Sequence, residues 1–218
     1  MTKAIRALES GNPSVRLRAA MAIGANPDPR YVEPLVERCA VEPEFSVREI
    51  LTWALMRHPA SVTVPRLVAE LRPERAEERA QARSQALHTL SKIGDRRAWP
   101  AITRALLTDA DDEVARSAWR AAVVLVPEDE KAGLAGVLAS QLGRGSRETR
   151  LSLSRALIAL GEAITPILRE KTVDADQSVR QHAIATERLL HDPDLGFEFA
   201  IEEAMRVVAL GVAGREGD

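Results

Sequence analysis

Aromatic side chains are scarce: three Trp, three Phe and one Tyr amount to 3% of 218 residues. Sheet proteins lean on aromatic and β-branched side chains, so this scarcity argues against a β-sandwich. There is a single cysteine, Cys39, which excludes an intrachain disulfide and a cysteine-based zinc site. Lysine is rare too. It supplies four of the 30 basic residues and arginine the other 26. The longest stretch without a charged side chain, 132–143, is 12 residues, short of the roughly 20 that a membrane helix needs. Residues 1–10 hold no apolar run, so no signal peptide is expected, and a cytoplasmic location follows as an expectation. A net charge of −2 and a pI near 6.2 give no global attraction to nucleic acid or an anionic membrane.

What is abundant points to helices. Alanine occurs 35 times and leucine 24 times. Alanine is the best helix former and lets helix axes approach closely. With 45% hydrophobic residues a sizeable core can be buried. The excess of arginine over lysine, alongside so much alanine, fits GC-rich bacterial codon usage.

The chain repeats itself. Pro13-Ser14-Val15-Arg16, Phe45-Ser46-Val47-Arg48, Ala80-Gln81-Ala82-Arg83, Glu148-Thr149-Arg150 and Gln177-Ser178-Val179-Arg180 are alike, with Asp112-Glu113-Val114-Ala115-Arg116 between the third and fourth. Register marks at 15, 47, 82, 114, 149 and 179 give steps of 32, 35, 32, 35 and 30. Pro34, Pro65, Pro100 and Pro166 form an interleaved series near the starts of apolar stretches, where proline's missing N–H is harmless. Gly24, Gly94 and Gly161 each follow such a stretch, as helix C-caps would. Two series half a period apart predict two helices per repeat. First helices are expected near 2–10, 30–41, 62–72, 97–108, 129–142, 163–172 and 195–210, and second helices near 13–24, 45–57, 77–93, 112–126, 147–160 and 177–190. Val47, Leu51, Ala54 and Leu55 fall on one helical face, matched by Val15, Ala19, Ala22, Ile23 and by Thr149, Leu153, Ala156, Leu157. One hairpin cannot cover such a stripe on both sides, so hairpins must stack.

These residues carry a family resemblance. Asn12-Pro13-Ser14-Val15-Arg16 through Ala19-Ala20-Met21-Ala22-Ile23-Gly24 resembles the HEAT repeat, closest to the short phycobilisome-lyase type. Leu90-Ser91-Lys92-Ile93-Gly94-Asp95 with Ala98-Trp99-Pro100 resembles that family's junction between repeats. The resemblance implies an all-α, right-handed α-α superhelix of about six hairpins with a C-terminal capping helix. Residues 1–210 would form one solenoid and 211–218 a flexible tail. It also implies that the repeat arginines, Arg16, Arg48, Arg83, Arg150 and Arg180, are structural, pairing with turn residues such as Asn12, Glu44, Asp111, Asp112 or Asp176.

Catalytic signatures are few. His58, His88, His182 and His191 are followed by Pro59, Thr89, Ala183 and Asp192. The His-Glu pairs of the HEAT-like deoxyhypusine hydroxylases are therefore missing. His182 and His191 read as surface or capping residues. No phosphate-binding loop, nucleophile elbow or HExxH is present, and Cys39 reads as an inert packed thiol. A HEAT-like DNA-binding role would need a basic stripe with several aromatics. No metal, cofactor or catalytic residue is expected, and a nucleic-acid binder or a metal-dependent or lyase-type enzyme stands as the alternative.

Helical periodicity then predicts which side chains line the open face of the second helices. With Val47 pointing inward, positions two, six and nine later point away. They give Leu17, Met21, Trp53, Met56, His88, Arg116, Arg120 and Arg155 as a candidate partner-binding face, apolar in the first repeats and basic in the later ones. An exposed apolar group of that kind marks an interface. The expected role is a non-catalytic scaffold or adaptor that binds a protein or peptide on its concave face. Trp119 reads as packing between repeats. Oligomeric state is left open.

Overall fold

Short connections punctuated by Asn, Asp, Pro and Gly fold the chain back on itself every ten to twenty residues, and the computed structural model consists of helices throughout its described residues, 3–72, 79–192 and 196–213. Its contacts fall into two compact units, Met1–Leu125 and Val126–Asp218. The first unit contains α1 (Lys3–Leu8), α2 (Pro13–Ala25), α3 (Val32–Val41), α4 (Phe45–Arg57), α5 (Ala60–Ala69), α6 (Ala80–Ile93), α7 (Arg104–Leu107) and α8 (Asp112–Leu125). Each odd-numbered helix packs on the even-numbered helix that follows it. The even helices also pack on one another in sequence, α2 on α4, α4 on α6 and α6 on α8. That is the stacking of a helical-hairpin solenoid. The second unit continues the pattern with α9 (Lys131–Ala139), α10 (Arg147–Ala159), α11 (Thr165–Lys171), α12 (Gln177–His191) and α13 (Phe197–Ala213). Within it α10 packs on α12, and α12 on α13.

Side-chain caps explain where α2, α8, α10 and α12 begin. The Asn12 side chain accepts from Ser14 N–H at 2.9 Å and the Asp111 carboxylate from Glu113 N–H at 2.9 Å. Asp176 accepts from Ser178 N–H at 2.7 Å, and Ser146 caps α10 through Thr149 N–H at 3.3 Å. Each satisfies a donor that a helix start leaves orphaned. The predicted stripe is the core: Val47, Leu51, Ala54 and Leu55 are wholly buried. In the first repeat the match is looser. Val15 is half-buried and Ala22 exposed, because only the six-residue α1 stands on that side.

Two periodic signals have a different cause from the one expected. Gly94 does end its helix in the left-handed conformation, at φ 68°. Gly24 does not cap anything: α2 runs through it to Ala25. A Cβ there would lie 2.3 Å from the Trp53 ring, so glycine is needed for α2 to meet α4. Pro65 sits inside α5 rather than in its first turn, since the helix starts at Ala60. Pro100 lies in a 3-10 stretch, Arg96–Ala101, after which Thr103 restarts the chain as the four-residue α7. The fourth first helix is thus broken in two, as a proline that lacks its N–H dictates. The last helix continues to Ala213. Residues 214–218 of the expected tail, and 73–78 of the polar stretch before α6, lie outside the described residues.

Candidate partner-binding surface

The repeat arginines show how the turns are held. Arg16 donates to the carbonyls of Ser10 and Gly11 at 2.9 and 3.2 Å, Arg48 to those of Glu42 and Pro43 at 2.9 and 2.7 Å, and Arg180 to those of Asp174 and Ala175 at 2.6 and 2.8 Å. Each guanidinium therefore clamps the connection six and five residues before it. Arg83, also buried, pairs with Asp109 of the following repeat. The expected partners are corrected in part. Asn12, Asp111 and Asp176 serve as helix caps, and the acid that binds Arg16 is Glu42, one repeat on, in a bidentate pair at 2.7 and 2.6 Å.

Glu42 is wholly buried. It also accepts from Arg38 at 2.9 Å and from Glu44 N–H at 3.0 Å. Burial pushes its carboxyl upward, but the bonds from Arg16, Glu44 N–H and Arg38 outweigh that and hold it below the usual range. The same pair raises Arg16 above its ordinary value. Gln81 of α6 donates to the Cys39 and Glu42 carbonyls at 3.1 and 2.9 Å, tying a third hairpin to this turn. Burial drives the Cys39 thiol up to about 12, so it stays protonated and unreactive.

Hydroxyls connect neighbouring second helices: Thr52 to Thr89 at 3.4 Å, Ser84 to Ser117 at 2.9 Å and Ser154 to Thr186 at 2.8 Å. His182 joins the last pair and is a correction to the expected surface residue. It is wholly buried. Gly143 N–H donates to its Nδ1 at 3.0 Å, which fixes the proton on Nε2, facing the Arg150 carbonyl and the Ser154 hydroxyl at 3.0 Å each. Burial lowers its pKa to about 4. His58 is buried as well and accepts Asp28 N–H at 3.2 Å. His191 caps its own helix through the Glu187 carbonyl at 2.8 Å.

The candidate face divides between the two units. In the first, Met21, Trp53 and Met56 are exposed to 48%, 39% and 44%. One edge of the Trp53 ring rests on Gly24, one turn along α2 from Met21, and Met56 lies one turn along α4. All three lie within a turn of the place where α2 packs on α4. Leu17 is half-buried beside them on α2. Beyond Trp53 the character turns polar. His88 Nε2 lies 3.4 Å from Glu49, and burial depresses the His88 pKa. Arg120 is exposed, donates to Ser117 at 2.9 Å and is held below its ordinary pKa by burial and by Arg116. Arg116 bonds Glu113 at 2.7 Å. In the second unit Arg155 is exposed, whereas Ala185, its counterpart in the next repeat, is buried under α13 with Leu189, Phe197 and Ala200. Trp119 is buried and donates to the Leu107 carbonyl at 2.8 Å, so it packs within its own hairpin.

Sequence reading missed Glu42, Gln81 and the hydroxyl pairs. The recurrence of Ser and Thr on the inner faces of second helices was the available signal for the last. Among the described residues no three His, Cys, Asp or Glu side chains cluster as a metal site requires. No single helix there is long and apolar enough to cross a membrane.

Comparison with known families agrees with this geometry over the N-terminal part of the chain. The family model for HEAT repeats matches residues 2–83, which spans α1 to the start of α6. No curated protein matches the chain.

Proposed function

We propose, starting from the HEAT-repeat match over residues 2–83, that the protein is a non-catalytic scaffold whose first unit binds a peptide segment of a partner protein. HEAT repeats generally mediate protein–protein interaction. The observation that carries the reading is the exposure of Met21, Trp53 and Met56 around the packing of α2 on α4. A half-exposed indole with one edge packed against Gly24 is an aromatic anchor, the residue type that dominates binding hot spots. Two flanking thioethers supply an adaptable apolar surface. Arg120 and Arg116 on α8 sit further along the same row of even helices. The matching ligand is a segment with one large apolar side chain followed by acidic residues.

Selection of a random peptide display library on the full-length protein tests this. Enriched peptides should carry an apolar residue with Asp or Glu on one side. Trp53→Ala should cost at least about 2 kcal/mol in affinity for them. Charge reversal at Arg120 should slow association and flatten its salt dependence. Failure to enrich any motif, or a motif bound equally by Trp53→Ala, would overturn the reading.

A further inference from the structure

Arg150 departs from the other repeat arginines. Arg16, Arg48 and Arg180 spend their guanidinium groups on the carbonyls six and five residues earlier. Arg150 makes no such bond among the described residues. It lines a cleft of about 370 Å³ instead, and its buried Nε has no hydrogen-bond partner. A buried charged donor left unmatched is costly. Arg48 and Arg180 engage one terminal nitrogen each with turn carbonyls, so what sets Arg150 apart is that, among the described residues, its guanidinium holds no such carbonyl and lines the cleft.

The remaining walls say what that ligand is. Arg147 brings a second guanidinium, while Phe197, Ile201 and Met205 of α13 form an apolar side and Glu202 also lines the cleft. Arg147 is the first residue of α10, after the Ser146 cap, so the positive end of a 13-residue helix adds to the two arginines. The volume sits at the small end of the range for small-molecule sites, roughly 300–1,000 Å³. The positive groups lie against α10 and the apolar ones against α13, both within the second unit.

We propose that this cleft binds a small monocarboxylate with an apolar body. The carboxylate lies on Arg150 and Arg147, where a planar anion matches the guanidinium fork. The hydrocarbon lies against Phe197, Ile201 and Met205. Glu202 repels a second negative charge, which selects monoanions over dicarboxylates. This site is separate from the peptide surface on the first unit, and either can stand without the other.

Calorimetric titration of the full-length protein with 4-phenylbutyrate, 4-phenylbutanol and adipate is the test. The first should bind saturably at one site. The alcohol, which has the same apolar body without the charge, should bind at least roughly tenfold more weakly, as should the dicarboxylate. R150Q should lose roughly tenfold or more in affinity for 4-phenylbutyrate, and R169Q, on α11 outside the cleft, should lose nothing. M205E changes an exposed cleft residue without touching the core, so it keeps the test open if R150Q fails to fold. It should abolish binding while the melting temperature stays unchanged. The proposal is overturned by no saturable binding up to about 10 mM, by equal affinity for the acid and the alcohol, or by unaltered binding to folded R150Q or M205E.

Discussion

A carboxylate sealed from water is tolerable only while every lone pair is occupied, and Glu42 meets that condition with Arg16, Arg38 and Glu44 N–H. Removing its charge while keeping its shape leaves the Arg16 guanidinium, itself buried, without a counter-ion. Breaking a buried pair from one side costs about 3–5 kcal/mol. Glu42→Gln is therefore expected to destabilise the protein by that amount in denaturant unfolding, with folding retained at low temperature. A loss below about 1 kcal/mol would show that the pair contributes little. The sequence displayed Arg16 through its repetition but concealed Glu42, because an acid 26 residues away in a turn has no periodic mark. The same limit hid His182. Its burial follows from the approach of Gly143 and Ser154, a tertiary fact that a lone histidine in a helical stretch does not announce.

At the scale of helices the sequence was far more legible. Every predicted second helix exists within a few residues of its expected bounds, because caps and apolar period both report on local structure. First helices were harder. Several open with a 3-10 turn, as at Pro29–Tyr31 and Gly161–Ile164, and Pro100 interrupts one of them. Exposure on the candidate face was legible in part for a related reason: outward positions follow from period alone, and Met21, Trp53 and Met56 are exposed as that period requires, whereas Leu17, His88 and Arg116 are half-buried. Ala185 fails the rule because α13 covers it, which no periodicity within α12 could show. Gly24 gives the sharpest test of helix contact. A methyl group there must displace the Trp53 ring from 2.3 Å. Gly24→Ala should cost about 1–3 kcal/mol, the usual range for overpacking, although alanine is the better helix former. Combining it with Trp53→Ala should recover most of the loss, since the added methyl then fills the space vacated by the indole. Additive losses in that double-mutant cycle would mean that α2 and α4 do not meet through this contact.

For the molecule as a whole, the two units should respond differently to acid, and the sequence supplies a convenient reporter. All three tryptophans, Trp53, Trp99 and Trp119, lie within Met1–Leu125, so indole fluorescence reads the first unit while far-ultraviolet circular dichroism reads both. His182 belongs to the second unit and titrates at about 4 when folded, because burial disfavours its cation. In the unfolded chain a histidine takes up its proton near pH 6.5. Below that pH the unfolded second unit binds the extra proton and the folded one does not. Stability is thus intact above about pH 6.5 and falls as pH drops toward 4, by about 3 kcal/mol in all. Glu42, in the first unit, has a depressed folded pKa. Its contribution is intact above the ordinary carboxylate range and is lost only as pH falls through that range and below it. Between pH 7 and pH 5 the dichroism melt should therefore develop an earlier component, its midpoint lowered by roughly 10 °C, while the fluorescence melt, which the depressed His88 of the first unit moves in the same direction, shifts less. His182→Gln should lower the midpoint of that component at pH 7 and remove most of its pH dependence. Coincident fluorescence and dichroism melts at both pH values would mean that the two units unfold as one. A dichroism melt that did not shift would mean that His182 accepts a proton in place, despite its contacts with Gly143, Arg150 and Ser154.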